Sequence, residues 1–120
     1  MKDEDRVERW IADLISTLDQ AAELVARGED AYRLDPALPL AFEALSNRVG
    51  ELAKRLVTAA PERFASAVFR QAARNRDFVA HHYDRIDHAI LWRTVRDSFP
   101  RLRSELVIQT APHVRGGGNP

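Results

Sequence analysis

Arg76, His81 and Tyr83 lie close together in the stretch 74–92, which is rich in arginine, histidine and tyrosine. A guanidinium is charged at any physiological pH and holds an anion, whereas an imidazole exchanges protons near neutrality. A phenol offers an oxygen that can act as a nucleophile. Together these three side chains indicate chemistry on a phosphate group.

The spacing of these residues places a condition on the helix that carries them. At about 100° per residue, Arg76 and His81 differ by about 140°, whereas Arg76 and Tyr83 nearly align, as do Arg74 and His81. Three arrangements satisfy this geometry. The helix ends or distorts near His81, or Arg76 reaches sideways, or Arg76 of one chain meets His81 of a second chain.

A metal site is the competing interpretation of the same stretch. His81, Asp84 and His88, with His82 and Asp87 beside them, have spacings that share one helix side. A helix break near Asp87 undoes that spacing, and no second helix offers a matching Glu-x-x-His pair. We therefore predict no metal ligand and no cofactor. His88 is expected to be solvated near a helix start, and Trp10 and Trp92 are expected in the core.

The composition is that of one soluble domain. The 120 residues contain no cysteine, and no apolar run reaches the roughly 18 residues of a membrane span. The N-terminus lacks the apolar region of a signal peptide, so we expect a cytoplasmic protein without a membrane partner. The net charge is zero, but residues 1–69 carry nine Lys/Arg against thirteen Asp/Glu, and residues 70–103 carry eight Arg against four Asp. The basic half holds the candidate site, although a solvated helix face would give the same asymmetry.

The apolar pattern predicts helices throughout. Apolar residues at three- and four-residue spacing favour a helix over 5–27, which Gly28 ends, and a second helix from Asp35-Pro36 to the Ala60-Pro61 break. Residues 29–38 are expected to form a connector. Residues 62–82 form one helix or a short one followed by a longer one, and Asp84 or Asp87 caps the next, which Pro100 interrupts. The result is an all-α, up-and-down bundle of four to five helices over 1–110, with a disordered tail at 111–120.

An ordered set of residues in this chain resembles the HepT family of minimal HEPN-domain proteins. The set comprises Arg76-Asp77, His81-His82-Tyr83, Ile86-Asp87, Ile90 and Trp92. Upstream, residues 49–56 look like the family's Gly-Glu-x-x-Lys-x-Leu segment, and the resemblance covers about residues 5–107. Arg74-Asn75 matches the family's Arg-Asn form in composition but not in spacing, so Arg76 is assigned to the motif.

The resemblance implies the toxin half of a HepT/MntA toxin–antitoxin pair, which is a dimeric, metal-independent endoribonuclease with a HEPN-like fold. Arg76 and His81 would be catalytic, and Asp77 would support Arg76, unless it forms only a surface pair. Tyr83 would accept AMP from an MntA-like nucleotidyltransferase, which silences the nuclease. The alternative is a non-catalytic helical dimer that binds a nucleotide or a partner through the same residues.

Overall fold

The computed structural model describes the backbone of residues 3–81 and 87–118 and the side chains of residues 4–74 and 87–109. Six α-helices and one π-helical turn make up the described backbone, and no strand occurs in it. The helices are α1 (Asp3–Val25), α2 (Glu29–Leu34), α3 (Ala37–Ala59), α4 (Ala67–His81), α5 (His88–Arg93) and α6 (Phe99–Gly118), with the π-turn at Thr94–Ser98 between the last two.

Helix α1 forms where its apolar spacing predicts it. Its buried residues recur at three- and four-residue intervals from Val7 to Ala21, which gives the helix one apolar side. Gly28 has a φ of 98°, a conformation that other residues rarely adopt, and it directs the chain out of the helix. The predicted stop at Gly28 is confirmed.

The predicted connector at 29–38 is wrong in part, because it contains α2. Acidic Glu29 and Asp30 lie in the first turn of this helix and Arg33 in its last turn, which suits the helix dipole. Tyr32 is buried against later parts of the chain. This burial stabilises a helix of six residues that would be marginal on its own.

Helices α3 and α4 form an antiparallel pair joined by a short turn. The Asp35 side chain accepts a hydrogen bond from the Ala37 amide at 2.9 Å, and Pro36 precedes the helix with a φ of −63°. Helix α3 ends before Pro61, as predicted. Turns follow at 61–64, and Phe64 packs edge to face on Phe69 with ring centroids 5.1 Å apart.

The last part of the bundle is continuous from α5 to α6 through the π-turn. Asp87 caps α5 by accepting hydrogen bonds from the amides of Ala89 and Ile90, which confirms one of the two predicted caps. Asp84, the other, lies outside the described residues. The Phe99 amide bonds to the Thr94 carbonyl five residues back, so the helix passes through a wider turn just before Pro100 rather than stopping.

These helices pack as the predicted all-α bundle. Helix α3 lies at the centre, with contacts to α1, α4 and α5, and α6 closes the bundle against α1 and α4. With α5, the π-turn and α6 counted as one continuous segment, the bundle has four long helical segments and the short α2. This number agrees with the four to five helices expected. No described helix has the length and apolarity needed to cross a bilayer. Helix α6 enters the stretch 111–120, and the disordered tail and domain limits predicted there stay predictions.

Candidate functional site

Three of the four predicted site residues lie in the last turns of α4. The backbone of this helix carries Arg76, Asp77 and His81, and His81 is its final residue. Their side chains are not among those the structure describes. Tyr83 lies outside the described residues altogether.

The register of α4 separates Arg76 from His81. Phe69 is buried, and Arg70 and Arg74 are exposed. Arg76 is seven residues after Phe69 and so has nearly its angular position, whereas His81 has nearly that of Arg74. Helix α4 is regular through His81, so its backbone places Arg76 and His81 about 140° apart and does not bring them onto one face.

The chain beyond the site is fixed where α5 begins. The Tyr32 hydroxyl donates a hydrogen bond to the His88 carbonyl at 2.9 Å, linking α2 to the first residue of α5 across 56 positions of sequence. The His88 Nε2 lies 3.8 Å from the Glu43 Oε2 on α3, and the His88 side chain is about half exposed. His88 therefore lies at a helix start in contact with solvent, as predicted.

Three aromatic side chains pack together at this junction, and we call them the aromatic cluster: Tyr32, Phe42 and Trp92. Ring centroids are 4.7 Å apart between Tyr32 and Phe42, 5.2 Å between Tyr32 and Trp92, and 5.8 Å between Phe42 and Trp92. Tyr32 is 3% exposed and Trp92 5% exposed. The predicted core position of Trp92 is confirmed, while Trp10 is only partly buried against the core.

Burial also prevents the Tyr32 hydroxyl from acting as a nucleophile. Desolvation by burial, together with the nearby carboxylates of Glu43 and Asp87, raises the pKa of Tyr32 to about 12. Its hydroxyl proton is already directed at the His88 carbonyl. Tyr32 therefore lacks both the exposure and the ionisation that a nucleophile needs near neutral pH.

Sequence reasoning missed the part that Tyr32 and Glu43 play at this junction. A signal for α2 was present, since Glu29 and Asp30 precede Tyr32, and Pro36 follows shortly after. Nothing in the local sequence shows that Tyr32 contacts His88, because this contact depends on how α2, α3 and α5 meet. The described residues contain no group of three His, Cys, Asp or Glu side chains placed to hold a metal ion.

The comparisons with known proteins give the family. The profile of the family described as ribonuclease HepT-like matches residues 14–107, a range that includes Arg76, His81 and Tyr83. A protein of Caldanaerobacter subterraneus subsp. tengcongensis, named as a candidate RNase, is 28% identical over 72 residues. That match covers 60% of this chain and 64% of the relative, so the chain spans just under two thirds of the relative's length. No solved structure gives a significant match. The chain belongs to the HepT-like ribonuclease family.

Proposed function

We propose that this protein is a metal-independent endoribonuclease and the toxin of a toxin–antitoxin pair, with Arg76 and His81 as its catalytic residues. The observation that carries the proposal is the family match over residues 14–107, which encloses the whole Arg-x4-His-x-Tyr motif. The name of the bacterial relative as a candidate RNase supports the same activity. RNA is the proposed substrate, and the cytoplasm is the proposed compartment.

The chemistry of such an enzyme needs only proton transfer and charge stabilisation. The RNA 2′-oxygen attacks the adjacent phosphorus as its proton leaves to a base, and the bond to the 5′-oxygen breaks as that oxygen takes a proton from an acid. The products are a 2′,3′-cyclic phosphate and a 5′-hydroxyl. His81 suits the transfer of either proton, and Arg76 suits the extra negative charge on the phosphoryl oxygens. Asp77 would orient the Arg76 guanidinium.

A homodimer would complete the site. The motif has one histidine for two proton transfers, and a two-fold axis would bring two copies of His81 together. The positions of Arg76 and His81 on different faces of α4 support a site in which arginine and histidine come from different chains.

Tyr83 is the proposed point of regulation. Its phenol oxygen would attack the α-phosphorus of ATP bound to a partner nucleotidyltransferase, pyrophosphate would leave, and the phenol proton would pass to a base of that enzyme. The attached AMP would place a phosphate near Arg76 and block the RNA site. The burial of Tyr32, the chain's other tyrosine, supports Tyr83 as the acceptor.

The catalytic assignment is tested by growth arrest in a host that lacks the antitoxin. We expect Arg76→Ala and His81→Ala each to abolish toxicity while circular dichroism retains the helical signal. Arg74→Ala is the matched control, since Arg74 is exposed on the same helix two residues from Arg76. Arrest by either motif variant at the wild-type level would contradict the assignment, and so would equal loss in the control. Binding of RNA without cleavage by the wild-type protein would favour the non-catalytic binding module.

Mixing two inactive variants tests the composite site. If Arg76 and His81 come from different chains, a mixture of Arg76→Ala and His81→Ala proteins contains heterodimers that keep one Arg76–His81 pair and lack the second His81. We expect the mixture to regain at most about one quarter of wild-type cleavage, because half of the randomly paired dimers are mixed and each keeps one of two Arg76–His81 pairs. No recovery after subunit exchange, verified by tagged chains, would mean that both residues act in the same chain or that cleavage needs both copies of His81.

The regulatory role is tested by Tyr83→Phe, with Tyr32→Phe as the matched control. Tyr83→Phe should remain toxic yet escape neutralisation by the transferase and ATP, whereas Tyr32→Phe should still be neutralised. Mass spectrometry should locate AMP on the peptide that contains Tyr83. Modification of Tyr32, or covalent silencing of Tyr83→Phe, would overturn this role.

A further inference from the structure

A groove lies between α1 and the second half of α3, at the end of the bundle where α1 begins. It has a volume of about 580 Å³, and its walls include Arg6, Trp10, Glu51, Lys54 and Arg55. Its charged side chains from α3 belong to the segment 49–56, which the proposed catalytic chemistry does not use. This groove is therefore a separate feature from the site on α4.

The groove carries excess positive charge. Three cationic side chains line it against the single carboxylate of Glu51. That carboxylate is already paired, since its Oε2 lies 2.6 Å from the Arg55 guanidinium. Lys54 is exposed and makes no ion pair within the described part of the chain. The groove thus offers an ammonium group on an exposed wall, where an anion can reach it.

Trp10 adds an aromatic surface to these charges. Its ring is partly buried against the core, and the Arg55 guanidinium carbon lies 5.8 Å from the ring centroid. Cations next to an aromatic ring suit a nucleotide, because the phosphate meets the charge while the base or sugar contacts the ring or the guanidinium plane. An acidic peptide would use the charges and leave the indole without a role.

We propose that this groove binds the backbone and one adjoining base of a single-stranded RNA, with Lys54 contacting a phosphate and Trp10 and Arg55 contacting the base. The inference rests on the proposed ribonuclease function, for which it supplies a second substrate contact. Lys54, Trp10 and Arg55 are positioning residues, remote from the reacting atoms.

The fold leaves an exposed side of α3 that leads away from the groove towards the start of α5. Helix α4 rises about 20 Å from Ala67 to His81, and the groove lies beside the opposite end of that length. Along α3, Leu40, Ala44, Asn47, Glu51 and Lys54 are all exposed and share one side of the helix. This side runs from the groove to the turn where Glu43 meets His88. A single RNA strand of several nucleotides would cover the distance.

Binding is tested with a fluorescein-labelled twelve-nucleotide RNA in which every sugar is 2′-O-methylated, so that no cleavage occurs. Fluorescence anisotropy is followed at several salt concentrations for the wild type and Lys54→Gln. We expect Lys54→Gln to weaken binding roughly 3- to 10-fold and to reduce the slope of log K against log salt by about 0.7. Arg9→Gln is the matched control, because Arg9 is exposed on α1 beside Trp10 but outside the groove lining. Unchanged affinity in Lys54→Gln, or equal weakening in both variants, would contradict RNA binding in the groove.

Cleavage assays separate this inference from the proposed function. On a long RNA, Lys54→Gln should raise KM with little change in kcat. A dinucleotide is too short to reach the groove, so on this substrate the kcat and KM of the variant should equal those of the wild type. A loss of kcat on the dinucleotide would overturn the positioning role. If the wild-type protein cleaves no RNA, the proposed function is wrong, while the anisotropy result still shows whether the groove binds RNA. AMP binding to the groove as tightly as the oligonucleotide does, with the same sensitivity to Lys54→Gln, would overturn an RNA strand in favour of a free nucleotide.

Discussion

The two ends of the α1–α3–α4 bundle differ in how far their side chains are buried. At one end, the aromatic cluster and the Tyr32–His88 hydrogen bond fix the start of α5, and the side chains involved are almost wholly buried. At the other end, Lys54, Glu51 and Arg55 line an open groove, and all three are exposed. The difference teaches that substitutions at the first end should change the free energy of unfolding, whereas those at the second should change binding and leave stability intact.

The largest effect on stability is expected for Phe42→Ala. Phe42 is fully buried and its ring packs on those of Tyr32 and Trp92, so truncation removes contacts and leaves a cavity. We expect a loss of about 3 to 5 kcal/mol in the free energy of unfolding, measured by urea denaturation. Leu40→Ala on the same helix is the control, because Leu40 is 66% exposed and should cost less than about 0.5 kcal/mol. Equal losses would break the distinction between buried and exposed positions on α3.

Alkaline pH should weaken the buried end next. Tyr32 keeps its proton in the folded protein up to a pKa of about 12, whereas an unfolded tyrosine ionises near pH 10. The contribution of Tyr32 is therefore fully present below about pH 10 and is lost as pH rises from about 10 to 12. After allowance for solvent screening, we expect a loss of about 1 to 2 kcal/mol. Tyr32→Phe has no proton to lose, so its unfolding free energy should fall less over this range. An identical alkaline decline in the two proteins would show that Tyr32 is not the group responsible.

The cap at the start of α5 should have a smaller effect. Asp87→Ala removes the acceptor of the Ala89 and Ile90 amides and should cost about 1 kcal/mol by thermal or urea unfolding. Asp87→Asn keeps an acceptor of the same shape, and most of the stability should return. If both substitutions cost the same, the negative charge rather than the cap would explain the effect.

The smallest effect is expected in the groove. Lys54→Gln removes an exposed positive charge that has no ion pair among the described residues. The free energy of unfolding should therefore change by less than about 0.5 kcal/mol. The same protein should bind RNA more weakly, as proposed above. A loss of more than 1 kcal/mol would show that Lys54 stabilises the fold and would make its binding data ambiguous.

Local signals in the sequence predicted several parts of this fold. Gly28 and Asp87 act through their own backbone and side-chain geometry, and both take the roles predicted for them. The π-turn before Pro100 was missed, because the pattern shows that a helix is disturbed but not that a wider turn carries it onward. Helix α2 was missed although Glu29, Asp30 and Pro36 signal its ends, because so short a helix depends on contacts of Tyr32 with Phe42 and Trp92, which only the folded bundle brings together.

The candidate site shows the same division between local and long-range information. Residue types and spacing single out Arg76, His81 and Tyr83, and the family match covers all three. The sequence could not choose between cis and trans pairing of Arg76 and His81, since this depends on a second chain. It also could not exclude Tyr32 as a reactive phenol, because its burial arises from helices far apart in sequence.

The central claim, RNA cleavage by Arg76 and His81 without a metal ion, is tested most directly by the ends of the products. Purified wild-type protein is incubated with RNA in excess chelator, and the fragments are analysed by mass spectrometry beside those from His81→Ala. We predict 2′,3′-cyclic phosphate and 5′-hydroxyl ends from the wild type, with a rate at least about 100-fold lower for the variant. Cleavage that stops with chelator and returns with a divalent ion, or that His81→Ala performs at the wild-type rate, would contradict the account.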